Sequence, residues 1–451
     1  MDDGIREKIS DVLKKAGQMN LICEVYGESI KGVTIESYKG NVESMSFIDE
    51  SGIGIRVCRN NKVGFAYTSD TSMSAMLDAL KASADSLGVA SELGVNPLQK
   101  IKDIASVDKR DNLLLYENLP DEFGIESKIA GVVAMEKSCY DEDSRIINTE
   151  GAVYEDIVVD VMIATSGLPP VEERRGFCFS SISAIASDGS DVESGLYFEQ
   201  AQSPELIDFE GIGRKAVRKA TEALGARQIR TGKYTVLIDE MSFAIILEFV
   251  ESIMSGEQVA KGVSVLCDRL GERVASEVVT LIDDPHLRGG CFNAGFDAEG
   301  LWTQRRVLIQ NGVLIGYLHN TFSALLLNQT PTANAVRSSY RFQPVPGATN
   351  LYIMGGKKGK DELISSIDRG VMVTEVMGLH TANSISGEFS FGISGFYVER
   401  GEIQHPISQM TVSGNIIDLF ERIVDVGRDV RFIYSYGSPA VLVDGLSVGG
   451  E

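Results

Sequence analysis

The chain has 451 residues, room for about three domains of ~150 residues each, and 43% hydrophobic with 24% charged residues excludes global disorder. Acidic residues (64) outnumber basic ones (42), and the net charge of −22 opposes a phosphate backbone. No Lys/Arg stripe offsets it locally, so nucleic acid is not an expected partner.

The opening segment, Met1 to Glu7, is charged and has no apolar core, so a signal peptide is not expected. No run approaches the ~20 apolar residues of a membrane span. Ile5, Ile9, Val12 and Leu13 fall at helical spacing, and Gly17 reads as the stop. Short strand-like runs follow at 21–26, 32–38, 42–48, 54–58 and 63–68. The groups Lys39-Gly40-Asn41, Asp49-Glu50-Ser51-Gly52 and Arg59-Asn60-Asn61-Lys62 punctuate them. A helix then carries Met73, Met76, Leu77, Leu80, Ala84 and Leu87 on one face, with Gly88 after it.

The same order returns. A helix at 125–140 precedes strand-like runs at 146–147, 153–164, 177–186 and 195–198, and a helix at 209–224 closes the unit. In both units the last strand holds a glycine followed by aromatics: Gly64-Phe65-Ala66-Tyr67 and Gly195-Leu196-Tyr197-Phe198. This predicts a duplicated helix–meander–helix unit. The polar stretch from Asn96 to Asp111 reads as the linker between the copies. After Gly232 a strand at 234–238 and a helix at 242–254 lead into strand-like runs at 277–282, 306–309, 313–318, 350–354, 371–376, 389–399 and 403–412. Late helices at 361–367 and 416–424 interrupt them. The expected fold is therefore α+β and multidomain. Two similar α/β subdomains (1–95 and 112–228, joined by 96–111) precede a β-rich, barrel-like C-terminal domain (229–451).

The residues alone show no catalytic apparatus. The four histidines, His286, His319, His380 and His405, are scattered; the nearest pair is 25 positions apart. None forms the helix-spaced pair of a zinc hydrolase. Asp283-Asp284-Pro285-His286 reads as an Asp-Pro turn rather than a metal site. The cysteines (Cys23, Cys58, Cys139, Cys178, Cys267, Cys291) form no CxxC pair, and four lie in apolar or strand-like runs. Buried free thiols in a reducing, cytoplasmic setting are expected. No Gly-x-Ser-x-Gly elbow occurs, and the glycines of Gly355-Gly356-Lys357-Lys358-Gly359 lack the context of a phosphate loop.

The C-terminal third carries recognisable phrases: Gly312 to Leu318, Thr332-Ala333-Asn334-Ala335, Gly370 to Glu375, Gly387 to Phe396, Glu399 to Ile403, Ser413-Gly414-Asn415 and Ala440 to Leu446. Together they closely resemble the TldD/PmbA family of cytosolic zinc metallopeptidases, once labelled modulators of DNA gyrase. The meander from Gly32 to Asp70 resembles that family's first domain. The resemblance implies two branches that assemble together. In the TldD branch a His-Glu-x-x-x-His helix and a distant cysteine hold zinc. Here that helix aligns with Leu247-Glu248-Phe249-Val250-Glu251-Ser252, so Leu247 and Ser252 replace both histidines and Glu248 keeps its type. No cysteine follows Cys291, and Phe432 to Gly437 stands where the third ligand is expected.

By resemblance, then, this chain is the PmbA/TldE-like, non-catalytic subunit of a two-component peptidase acting on unfolded or extended peptides. It would hold no cofactor itself, zinc being expected in a TldD-like partner with which it forms a heterodimer; self-pairing is the alternative assembly. A homodimeric peptide-binding scaffold and a peptidase with an atypical metal site near His380 are the other readings. The segment Gly387, Phe389, Ser390, Phe391, Gly392 is expected either to be a core strand or to line the peptide chamber. Its two phenylalanines share one face, and its glycines would let another backbone come close.

Overall fold

The computed structural model describes residues 3–90, 94–105, 115–116 and 118–450. Helix α1 (Asp3–Gln18) is followed by three long strands, β1 (Ile22–Tyr38), β2 (Asn41–Arg59) and β3 (Lys62–Thr68), and by helix α2 (Met73–Ser86). Ser72 caps α2, its hydroxyl accepting from the Ala75 N–H. After helix α3 (Pro97–Ala105) the pattern recurs as α4 (Ile125–Glu142), β4 (Ile146–Thr165), β5 (Val171–Ser187), β6 (Val192–Ala201) and α5 (Phe209–Ala223). The duplication is thus explicit, but the copies do not form separate sheets. Their first strands, β1 and β4, pair antiparallel, giving one six-stranded sheet in the order β3-β2-β1-β4-β5-β6. Each copy's helix pair buries its own apolar cluster: Ile9, Val12, Ile55 and Leu80 in the first, Val132, Met135, Tyr154 and Ile212 in the second.

The paired glycines have a steric reason. A Cβ on Gly64 would overlap the Ser83 carbonyl oxygen of α2, and one on Gly195 would overlap Ala216 and Ala220 of α5. Each closing helix sits directly on its last strand because that position has no side chain.

Three expectations are corrected. The groups Lys39-Gly40-Asn41 and Arg59-Asn60-Asn61-Lys62 are turns, but Asp49-Glu50-Ser51-Gly52 lies inside β2. The hairpin projects beyond the core there, and Asn41 to Glu50 of β2 are exposed, Val42, Met45, Phe47 and Ile48 among them. Gly52 and Gly54 leave room for Tyr340 of the C-terminal domain, whose ring and carbonyl a Cβ would strike. The stretch read as a linker contains α3, whose Leu98 and Ile101 are buried against Cys58, Leu301 and Ala333; its remainder, 106–111, lies outside the described residues. Strand-like runs at 277–282 and 313–318 shrink to three and two residues, being consumed in turns.

The C-terminal domain begins with β7 (Gly232–Ile238), α6 (Glu240–Met254) and α7 (Gly256–Ala260). Short elements follow: β8 (Leu281–Asp283), β9 (Arg306–Gln310), β10 (Val313–Leu314), α8 (Thr321–Leu326), β11 (Ala335–Val336), β12 (Val345–Pro346), β13 (Leu351–Ile353) and α9 (Lys360–Ser365). The chain ends with β14 (Arg369–Met377), β15 (Glu388–Glu399), β16 (Glu402–Asn415), α10 (Ile416–Glu421), β17 (Ile423–Val426), β18 (Arg431–Ile433), β19 (Tyr436–Ser438) and β20 (Val441–Gly449). Strands β16, β15, β14, β7 and β20 close into a barrel through Val412↔Val448, with β17 added on β20. A second sheet runs β10-β9-β8-β13-β19-β18. Helix α6 lies in the shared core with Phe243, Leu247, Val250 and Met254 against barrel residues such as Val236, Val371 and Phe391. No described helix is long and apolar enough to cross a membrane.

Candidate functional site

Helix α6 starts where Asp239, itself buried, accepts from the Ser242 N–H at 2.8 Å. Its apolar stripe faces the barrel, and this decides the fate of the aligned metal positions. Leu247 is completely buried in the core, while Glu248 and Ser252 lie on the exposed side. Ser252 returns its hydroxyl to the Phe249 carbonyl at 2.7 Å.

Glu251 carries the local chemistry instead. One carboxylate oxygen accepts from the Ala348 N–H at 2.7 Å and the other from the Tyr436 hydroxyl. Burial raises the pKa of this carboxyl above the ordinary carboxylate range. Tyr436 belongs to the segment Phe432 to Gly437, so the helix and the segment aligned with the family's metal ligands do meet here. They meet through a glutamate and a tyrosine.

Two pockets share that pair. The outer one, about 440 Å³, is also lined by Glu248, Ser252, Glu257 and Val345. The inner one, about 330 Å³, lies between the N-terminal sheet and the C-terminal domain. The sheet contributes Tyr26, Val161, Ile163 and Arg175; the C-terminal domain contributes Phe292, Phe296, Asp297, Asn334 and Arg337.

Carboxylates organise the inner wall. Asp283 Oδ1 accepts from Thr349 N–H (2.8 Å), Thr349 Oγ1 (2.9 Å) and Asn350 N–H (3.1 Å), and its Oδ2 accepts from Asn334 Nδ2 at 2.6 Å. Even so, complete burial raises its pKa. Asp297 accepts from the N–H groups of Glu299, Leu301 and Ala335 at 2.9, 3.0 and 3.1 Å. Burial first, and the Glu299 charge second, push it up to about 7. Behind them an ion network joins the domains. Arg56 bonds Glu24 at 2.6 Å and Glu299 at 2.9 Å, and Arg337 bonds Glu24 with its guanidinium 4.7 Å over the Tyr26 ring.

The other residues singled out in the sequence lie elsewhere. His319 is a satisfied core residue, 3.0 Å from both Ser323 Oγ and Gln329 Oε1, and burial lowers its pKa. His286 sits in the Asp-Pro turn, its N–H donating to Asp284 Oδ1 at 3.0 Å. His405 stacks on Tyr397, and His380 is exposed in a short 3-10 turn. Among the described residues no three His, Cys, Asp or Glu side chains group so as to hold a metal.

In β15, Phe389 and Phe391 stack at 4.6 Å inside the barrel, whereas Ser390 points outward and is exposed. Gly387 needs its freedom for a φ of +77°, but a Cβ on Gly392 would meet Met377 only at 3.7 Å, so no close backbone approach operates there. None of these residues lines either pocket.

Comparison with known proteins finds matches along nearly the whole chain. The profile of the PmbA/TldA metallopeptidase C-terminal domain matches residues 231–450, domain 1 matches 23–87, and the central domain matches 118–224. The chain belongs to the PmbA/TldD family. Metalloprotease PmbA of Escherichia coli O157:H7 is 27% identical over 461 residues, spanning 99% of this chain and 96% of the relative. A TldD homologue of Haemophilus influenzae is 27% identical, over 91% and 89% of the two chains. The crystal structure of a Thermotoga maritima protein described as a modulator of DNA gyrase superposes with a TM-score of 0.90 at 28% identity, covering 98% of this chain and all of that one. TldE from Thermococcus kodakarensis, at 19% identity and a TM-score of 0.86, shares the fold.

Zinc, which the family implies, does not fit the corresponding positions here. A tetrahedral site needs nitrogen, sulfur or carboxylate donors converging on one point. Leu247 offers none and faces the core, Ser252 is bonded to its own helix, and Tyr436 is bonded to Glu251.

Proposed function

We propose that this PmbA/TldD family member is the PmbA/TldE-like, non-catalytic subunit of a two-component metallopeptidase. It pairs with a TldD-like subunit that carries the zinc, or with a second copy of itself, and helps hold extended peptides for cleavage. The observation that carries this reading is Leu247, a core side chain at the position where a metal-binding histidine is needed. Exchanging it for a ligand would cost core packing, so the departure is built into the barrel. The relatives support pairing: both a PmbA homologue and a TldD homologue occur in Haemophilus influenzae, and both occur in Buchnera aphidicola from Acyrthosiphon pisum. In this reading the outer face of β15, with Ser390 between Gly387 and Gly392, faces the chamber, and Phe389 and Phe391 support it from within.

Co-expression with a sister chain that contains His-Glu-x-x-x-His tests the proposal. The expected result is a co-purifying pair that cleaves unfolded peptides in a chelator-sensitive manner, with no stoichiometric zinc and no cleavage by this chain alone. About one tightly held zinc per isolated chain, with chelator-sensitive cleavage, would overturn it.

A further inference from the structure

The β1–β2 hairpin leaves one edge of the N-terminal sheet open. Strand β3 pairs with β2 only from Ile53 onward, so no described strand pairs with the outer side of β2 from Asn41 to Gly52. Asn41 to Glu50 are all exposed, and their outward N–H and C=O groups face solvent along roughly 33 Å, at ~3.3 Å per residue. The register shows what this edge carries. Val42, Met45 and Phe47 stand opposite Ser37, Ile35 and Val33 of β1, all three buried. Val33 and Ile35 belong to the apolar cluster that α4 covers with Val132 and Met135. Opposed residues share a face, so Val42, Met45 and Phe47 prolong that core layer beyond its cover, and Phe47 is 67% exposed. On the other face Ile48 is exposed, and the edge ends where Gly52 and Gly54 lie against Tyr340. Tyr67, its ring 6.2 Å from that of Tyr340, and Phe342 are exposed there too. Sheets commonly blunt an open edge with lysine or proline, and 41–50 contains neither. Its charges are acidic. Glu50 is bonded to Arg341 at 3.2 Å, while Glu43 and Asp49 have no ion pair among the described residues.

We infer that this edge docks a second, different protein subunit by strand addition, one whose docking strand carries apolar side chains two apart between lysine or arginine residues. Main-chain hydrogen bonds would complete the edge, and the partner's apolar side chains would cover Val42, Met45 and Phe47. A second copy of this chain is a poor occupant. Added antiparallel about Ser46, it would bring Glu43 of each copy to Asp49 of the other, and opposed like charges destabilise a strand pair. Each copy would also bring a net charge of −22. A basic docking strand turns both contacts into attractions. A lone peptide strand is the poorer match for a different reason, the extent of the apolar surface. The edge, ~33 Å long and ~10 Å deep, offers roughly 330 Å², less than half of the ~800 Å² that a stable interface takes from each partner. Tyr67 and Phe342 carry the same surface onto the C-terminal domain, where a folded subunit reaches and a single strand does not.

The inference rests on the subunit role proposed above and narrows it to an unlike partner; its test separates the two. The full chain, wild type or variant, is co-expressed with the sister chain containing His-Glu-x-x-x-His, and pairing is measured by sedimentation. Phe47→Lys, and separately Glu43→Lys together with Asp49→Lys, should each weaken pairing at least ~10-fold. Melting temperatures should stay near wild type, because all three side chains are exposed. The wild-type pair should loosen as salt rises, and the wild-type chain alone should sediment as a monomer. Equal pairing by wild type and both variants overturns the edge as the docking surface while leaving the subunit role intact. A wild-type self-dimer that Phe47→Lys dissolves overturns it in favour of a second copy. An unstructured octapeptide with alternate valines between terminal lysines serves as the probe for a peptide track. If Phe47→Lys abolishes binding of that octapeptide and leaves pairing unchanged, the inference is overturned in favour of such a track. No pair with the wild-type chain overturns it together with the heteromeric reading on which it rests.

Discussion

Asp297 shows how a single buried carboxyl writes itself into the stability of the protein. Its pKa rises from the usual value near 3.8 to about 7 in the folded chain, so between those limits the folded state binds more protons than the unfolded one. Stability from this group is therefore full below about pH 4, falls as pH rises, and levels off above about pH 7. Asp297→Asn should flatten that slope, measured as urea-unfolding free energy at pH 5 and pH 7.5; an unchanged slope would show that another group is responsible. Ser390 carries a second prediction at this scale. Because it is exposed on the outside of the barrel, Ser390→Gln should leave the melting temperature unchanged. If β15 lines the chamber, the variant should also abolish peptide cleavage by the assembled pair. Full activity in a stable variant would remove β15 from the chamber. The residues behind such tests differ in how legible they were. Leu247 and Ser252 could be placed by alignment with a motif, but Glu251 looked like any carboxylate on a helix. Its contacts with Tyr436, 185 positions away, and with the Ala348 N–H set it apart, and no local pattern encodes such contacts. Asn334 lay within a recognisable phrase, yet its bond to the Asp283 carboxylate is a property of packing alone.

At the scale of elements, the two copies of the repeat make their closing helices sit tightly on a glycine. Gly64→Ala or Gly195→Ala should each cost about 1–3 kcal/mol or more, because the new methyl meets helix backbone that cannot yield locally. Gly17→Ala is the matched control. Gly17 has open space around it and lies within α1, so the change should be neutral or gain up to about 1 kcal/mol. Chemical denaturation of the three variants measures this contrast, and equal losses would refute the packing argument. Gly17 also illustrates where the sequence misleads. The helix continues through it to Gln18, and the left-handed turn falls to Asn20 at φ +54°. Helices with an apolar stripe, such as those ending near Ser86 and Ala223, were readable because burial repeats with the helical period. The strands were readable where they cross the core, as in Val153 to Ala164. They were not at 49–52, since Asp49-Glu50-Ser51-Gly52 inside β2 has the composition of a turn. The helix inside the stretch read as a linker was missed for a related reason: its apolar face is short, Leu98 and Ile101 with Ile104 and Ala105 partly buried beside them, and its partners come from both domains.

For the whole molecule, the network of Arg56, Glu24, Arg337 and Glu299 is the polar joint between the sheet and the C-terminal domain. Replacing Arg337 with leucine leaves Glu24 fully buried with Arg56 alone, and breaking such a network costs about 3–5 kcal/mol. The expected outcome is a lower unfolding midpoint with the two domains melting less cooperatively, read by calorimetry; an unaltered single transition would show that apolar contacts alone couple them. The net charge of −22 sets another property of the whole. Duplex DNA should not bind at physiological salt, since contact brings like charges together without releasing counterions. Micromolar binding that weakens as salt rises would contradict this.

The joining of β1 to β4 has a consequence for how the chain is made. Ser29 pairs with Asp160, 131 positions later, so on a ribosome the first hairpin must wait for its neighbour. At ~5–20 residues per second the wait is roughly 7–26 seconds, during which one side of β1 carries a full row of unsatisfied amide and carbonyl groups. Nascent chains on a polysome are close enough to offer each other the missing strand. Early synthesis, rather than the finished fold, is where this protein is most exposed to exchange of β4 between copies and most dependent on chaperone shielding.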